Sequence, residues 1–163
     1  MVTAKKTTST KVASKKTSKP QNATALLRAD HKLVAGLFSD FDKAPSKAQK
    51  AKIVAQICKE LTVHTQIEEE IFYPAFQKAL RDHELVPEAN VEHGSVKDLI
   101  AAVEGVAPGG DEYDARVRVM GEFVKHHVKE EQTEMFPKAK NSKMDLLAIG
   151  AQMAARKKEL MAA

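Results

Sequence analysis

Residues 64–74 read HTQIEEEIFYP, and residues 127–137 read HVKEEQTEMFP. The two stretches share the frame His-x3-Glu-x5-Pro at an offset of 63 residues, with apolar residues ahead of each proline. His31 and His93 lie 62 residues apart, and each is followed by apolar residues at +3, +6 and +7. The chain therefore reads as two copies of one helical hairpin. Each copy carries a histidine on its first helix and a His-x3-Glu on its second.

Working outward, the apolar residues recur with a helical period. Leu27, His31, Val34, Phe38 and Phe41 form the first stripe, and Pro45 with Ser46 closes that helix. The second stripe is Val54, Ile57, Leu61, His64, Glu68, Ile71 and Ala75. Pro74 lies within it and predicts a kink or one loosened turn. The third is Ala89, His93, Val96, Ile100 and Val103, with Pro87 suited to the helix's first turn. The fourth runs Tyr113, Val117, Met120, Val124, His127, Glu131 and Met135, with Asp111 as a candidate N-cap. Asn141 or Ser142 is expected to start a fifth, Ala- and Met-rich helix. No segment alternates with period two. The expected fold is all-α: an up-down-up-down four-helix bundle over residues 22–140, with a C-terminal helix at 141–163 packed on the bundle or on a partner.

Residues 1–21 are almost wholly Lys, Thr, Ser and Ala, a composition that cannot bury enough surface to offset ordering. They are expected to be a disordered tail. Residues 1–29 hold seven of the 26 basic residues and no acid. From residue 30 onward, 19 basic residues face 22 acidic ones, a balance of −3. The net charge of +4 thus describes the tail, which suits a weak, salt-sensitive contact with nucleic acid or another polyanion. No apolar run approaches the ~20 residues needed to span a bilayer, so no membrane partner is expected. No apolar segment follows the basic start, so a cytoplasmic location is expected. The single cysteine, Cys58, excludes an intramolecular disulfide and any multi-cysteine metal site. No glycine-rich phosphate loop or nucleophile motif is present.

His31, His64, Glu68, His93, His127 and Glu131 all occupy inward positions where the pattern calls for Leu or Ile. Burying an unpaired carboxylate or imidazole costs several kcal/mol. Six such residues in one narrow core must neutralise one another or bind cations. Spacing i to i+4 sets each His-Glu pair side by side on one face. Four imidazoles and two carboxylates suit two metal ions bridged by the carboxylates, with Fe, Mn or Zn favoured over soft metals.

The same six-residue frame resembles the hemerythrin-like, HHE cation-binding family over about residues 24–138. That resemblance implies a four-helix bundle with a non-haem di-iron centre and a bridging oxo or hydroxo group. Glu68 and Glu131 would bridge, and His31, His64, His93 and His127 would be terminal ligands. Oxygen-carrying members have a fifth histidine where this chain has Lys97, and an aspartate where it has Gln132. The chain is instead similar to the bacterial four-His, two-Glu branch. Related iron–sulfur repair proteins add a cysteine-containing domain that is not seen here.

Among the remaining polar residues, His126 is expected to be exposed or to sit behind a ligand. Glu60 and Glu92 are candidates to accept a bond from a ligand imidazole. Glu69, Glu70, Glu130 and Glu134 read as a solvated acidic face, and Tyr73 and Tyr113 as ordinary core residues, with redox-active or ligand-gating phenols as the alternative. The leading functional expectation is a di-iron protein that binds or senses O2, NO or peroxide. The alternatives are an enzyme acting on peroxide or NO, and an iron storage or sensing protein, DNA-associated through its tail. The sequence leaves the oligomeric state open.

Overall fold

The computed structural model describes residues 20–163, all helix and short turns with no strand among them. The basic stretch at 1–19 lies outside the described residues. α1 spans Ala23–Lys43, and Asn22 caps it by accepting from the Ala25 N–H at 2.9 Å. Ala44 then turns extended ahead of Pro45, as a residue before proline must. Ser46 caps the next helix by accepting from the Gln49 N–H.

That helix, α2, comprises an α-helical part Lys47–Ile67, a π-helical turn Glu68–Phe72 and a last segment Tyr73–Leu80. It stops at Arg81, whose φ of 53° is left-handed. α3 spans Leu85–Glu104, and its first free N–H groups, of Leu85 and Val86, are taken by the Asp82 carboxylate. α4 likewise has three parts: Asp111–Glu130, a π-helical turn Glu131–Met135, and Phe136–Lys140. Its N-cap is Gly110 rather than Asp111, which joins Glu112 and Asp114 as first-turn acids that favour the helix dipole. α5 spans Leu146–Ala162 and is capped by Asp145. Ser142, expected to start it, instead bonds back to the Ala139 carbonyl and closes α4.

The loosened turn expected at Pro74 is present, and a second one precedes Pro137. Proline has no N–H, and its ring crowds the carbonyl four residues back. In both helices the residue before proline bonds five residues back instead: Tyr73 to the Glu68 carbonyl, and Phe136 to that of Glu131. The additional residue in each wide turn rotates the rest of the helix about its axis. Hence Phe72, Tyr73 and Phe76 are buried, while Ile71 and Ala75, inward in an ideal helix, are only half-buried. In α1, which is regular α-helix throughout, Leu37 is buried and Phe38 is half-buried.

α1 to α4 form the up-down-up-down bundle, and α5 packs across α1 and α2. At Gly150 the approach is close: an added Cβ would lie 2.3 Å from the Gln21 carbonyl oxygen. The apolar core comes in two clusters. One holds Val34, Leu61, Val96 and Val124; the other holds Leu27, Ile67, Ala89 and Met135. On every bundle helix the six polar residues lie between a member of the first cluster and a member of the second. They form a polar layer that divides the core.

Candidate metal centre

Each bundle helix delivers one histidine to this layer. α2 and α4 also deliver a glutamate one turn on, at the entrance to the π-helical turn. All six side chains converge. His31, His64, His127 and Glu131 are between 2% and 7% exposed, and Glu68 and His93 are fully buried.

The Nε2 atoms of His31 and His64 lie 3.2 Å apart, and those of His93 and His127 lie 3.1 Å apart. Glu68 places Oε1 3.3 Å from His64 Nε2 and Oε2 3.2 Å from His93 Nε2. Glu131 places Oε2 3.1 Å from His31 Nε2 and Oε1 3.6 Å from His127 Nε2. The layer therefore holds one group of His31, His64, Glu68 and Glu131 and a second of His93, His127 and Glu68, with Glu131 Oε1 a little farther off at 3.6 Å from His127 Nε2. Metal–ligand bonds of ~2.1 Å give ligand–ligand edges of about 3.0–3.4 Å, so all of these spacings except that of Glu131 from His127 fit a cation held by each group. Two buried oxygens, Glu68 Oε1 and Glu131 Oε2, have no hydrogen-bond partner. Orphaned buried carboxylate oxygens cost free energy unless a cation meets them.

The outward-facing Nδ1 atoms are held as well. His64 Nδ1 lies 3.3 Å from Asp30 Oδ2, and Asp30 is itself bonded to the Lys157 ammonium of α5. His93 Nδ1 lies 2.9 Å from Glu69 Oε1, which also takes Lys97 Nζ at 2.7 Å. His127 Nδ1 meets Glu92 Oε2, and the Gln132 amide sits 3.0 Å from His31 Nδ1. An Nδ1–H donated to a carboxylate fixes the tautomer that presents Nε2 inward and makes it more basic. Lys97 and Gln132, which mark the chain's departures from the oxygen carriers, thus both serve this outer ring.

The electrostatics follow from the packing. Burial alone would push the His64 imidazolium down, but Glu68 and Asp30 outweigh it and raise it to about 10 in the metal-free chain. Burial would raise the Glu68 carboxyl, yet His64 and His93 hold it well below the usual range. Glu92 is lowered chiefly by its bond to His127.

Tyr73 was not among the expected site residues. Its hydroxyl lies 2.7 Å from Glu131 Oε1, 3.1 Å from His93 Nε2, and 3.3 Å from both His127 Nε2 and Glu68 Oε2. It is a further oxygen donor within the second group. Burial, then the two carboxylates, push the phenol well above its ordinary value, so its proton stays on. The sequence signal was Pro74: the wide turn it enforces swings Tyr73 inward. Tyr113, by contrast, is a core residue packed on Phe41.

Glu92 does hold an imidazole of the cluster, that of His127. Glu60 is buried but reaches only Lys157, at 3.9 Å. Glu69, expected in solvent, holds His93, and Glu70 pairs with Arg156. His126 is exposed, as expected. Beside the four histidines lies a cavity of about 20 Å3 walled by Val34, Leu61, Val96, Val124 and Val128. Among the described residues no helix is long and apolar enough to cross a membrane.

The chain is similar to known proteins. A DNA nickase of Nostoc sp. is 27% identical over 121 residues, covering 74% of this chain. The match spans only 34%, about a third, of the nickase's own length. An uncharacterised protein of Mycobacterium tuberculosis is 24% identical over 143 residues, covering 85% of this chain and 87% of its own. The crystal structure of an HHE cation-binding domain-containing protein from Mycobacterium kansasii superposes with a TM-score of 0.77 at 25% identity. It covers 87% of this chain and 88% of that one. The family model described as Hemerythrin HHE cation binding domain matches residues 22–139. With its helical bundle and its buried cluster of metal-capable histidines and glutamates, the chain belongs to the hemerythrin HHE cation-binding domain family.

Proposed function

We propose that His31, His64, Glu68 and Glu131 hold one metal ion and that His93, His127, Glu68 and Glu131 hold a second, with Tyr73 beside it. The observation that carries this reading is that each glutamate divides its two oxygens between two histidine pairs, leaving two of those oxygens without any other partner. Imidazole with carboxylate suits Fe, Mn or Zn over soft metals, and the family resemblance selects iron among them.

The centre binds or senses a small molecule such as O2, NO or peroxide. When bound, a redox-active metal pair supplies Lewis acidity and electrons to such a ligand. The chain supplies the rest. The outer acids hold the His64, His93 and His127 imidazoles in one tautomer. Tyr73 keeps a proton at its phenol oxygen, aimed at Glu131. The valine and leucine walls exclude bulk water and large molecules. A cavity of about 20 Å3 has space for one water-sized molecule, which favours a diatomic ligand or peroxide over mineral storage.

The test is a spectroscopic titration of the iron-loaded protein with NO and azide under anaerobic conditions. Saturable spectral changes at one ligand per chain are expected. An iron-loaded protein whose spectrum ignores both ligands would sink the ligand-binding reading. Repeated consumption of added peroxide would turn it into an enzyme reading.

A further inference from the structure

We propose that the groove between α1 and α4 is the passage by which an uncharged diatomic gas reaches the buried layer, with His31, Val124 and Val128 as its inner barrier; the inference rests on the reading of that layer as a ligand-binding metal centre. The groove encloses about 480 Å3. Ala35, Phe38 and Phe41 of α1 and Val117, Val124 and Val128 of α4 line it, together with His31 of the polar layer. Ala35, one turn after His31, is small and exposed, which leaves the α1 wall low there.

Two observations lead inward from this groove. It shares His31, Val124 and Val128 with the cavity of about 20 Å3 that touches all four histidines. The same three side chains wall both spaces, so the movement of one of them joins the two. His31 is also the least firmly held of the four imidazoles. Nδ1 of His64, of His93 and of His127 each meets a carboxylate, whereas that of His31 meets the Gln132 amide at 3.0 Å. A neutral amide holds an imidazole less strongly than a carboxylate does.

The walls decide what can pass. Aliphatic and aromatic side chains favour an uncharged, weakly hydrated molecule over an ion. The exposed residues that border the groove are Asp42 and Glu122 against Arg118 and Lys125, so no net charge draws an ion into it. A second opening toward the layer has the opposite character. The cleft of about 10 Å3 between α3 and α4 is lined by Glu88, Glu92, Glu130 and Glu131, and among the described residues by no lysine or arginine. Carboxylates there bind water, which an apolar gas must displace without return. O2 and NO, small and apolar, are the ligands that the α1/α4 groove suits.

The test has two arms. In the first, the metal-free full chain is equilibrated with dissolved O2, a paramagnetic gas, and its methyl resonances are followed by NMR. Broadening is expected at Ala35, Val117, Val124 and Val128 and onward at Val34, Leu61 and Val96, and much less at Leu85, Ala89 and Met135 beside the α3/α4 cleft. In the second, the iron-loaded full chain is mixed with NO in a stopped-flow spectrometer. Ala35→Trp fills the groove from an exposed position; it is expected to slow association about tenfold and to reach the final absorbance of the wild type. Val128→Ala lowers the inner barrier and is expected to speed association. Glu88→Trp covers the α3/α4 cleft, also from an exposed position, and leaves the rate unchanged. A wild-type rate in Ala35→Trp, slowing by Glu88→Trp, or Val34, Leu61 and Val96 methyls untouched by O2 overturns the proposal. If the iron-loaded wild type ignores NO altogether, the ligand-binding reading falls, and the O2 arm still decides whether the groove conducts gas.

Discussion

Replacing Tyr73 with phenylalanine removes one oxygen and leaves the ring, which packs against Phe72 and His93 and is 1% exposed. The change therefore isolates the hydroxyl. In the metal-free chain that hydroxyl donates to Glu131 Oε1 at 2.7 Å, while Glu131 Oε2 has no partner. After Tyr73→Phe the buried carboxylate loses its one short bond. A buried group left without its partner costs about 1–3 kcal/mol. For a chain of this size that lowers the melting temperature by about 2–12 °C. The assay is thermal unfolding followed by circular dichroism, with metal removed from both proteins by a chelator. A variant that melts with or above the wild type would refute the assignment of Tyr73 as the donor that holds Glu131.

Three more outcomes are expected from the same geometry. Glu68→Ala and Glu131→Ala should each lower retained metal more than His31→Ala or His93→Ala, because each glutamate serves both groups; Glu130→Ala should keep full final content, and elemental analysis of the five variants decides it. Lys157→Met should weaken metal binding by about tenfold, since the ammonium holds Asp30 and Asp30 holds His64; competition with a coloured chelator reads the affinity. In the metal-free chain His64 sits at about 10, above the ~6.5 of an unfolded histidine. Its contribution to stability is complete below about pH 6.5 and is lost as pH rises through about 10, so urea midpoints should fall between pH 7 and pH 10 in the wild type and much less in His64→Leu.

The bundle and the six inward polar residues were legible because both rest on helical periodicity. Spacing of three and four along each helix fixes which face is buried, whatever the partner helix is. The frame His-x3-Glu-x5-Pro also announced a loosened turn at Pro74. What the frame did not convey was its consequence. Counting on past Glu68 at 3.6 residues per turn points Ile71 and Ala75 inward, whereas the wide turn delivers Phe72, Tyr73 and Phe76. That one-residue slip is why Tyr73 read first as an ordinary core residue and only second as a phenol at the site. Asp30 and Glu69 were missed for another reason: each lies next to an inward residue, at the edge of the stripe. An edge acid reads as solvated until the neighbouring helix brings a histidine nitrogen to it. Asp30 additionally depends on Lys157, 127 positions along the chain, a pairing that only the docking of α5 creates. Glu92 was legible as a candidate because it adjoins His93. Its partner is nevertheless His127 on the opposite helix, since a side chain at the edge of one helix faces the next helix rather than its own neighbour.

The central claim is that the buried layer is a two-ion site. The most direct test is metal analysis of the chain after anaerobic reconstitution with iron and removal of loosely held metal by gel filtration. Two iron ions retained per chain are expected, with Mn or Zn substituting at the same stoichiometry. Fewer than one metal ion per chain under every loading condition would contradict it.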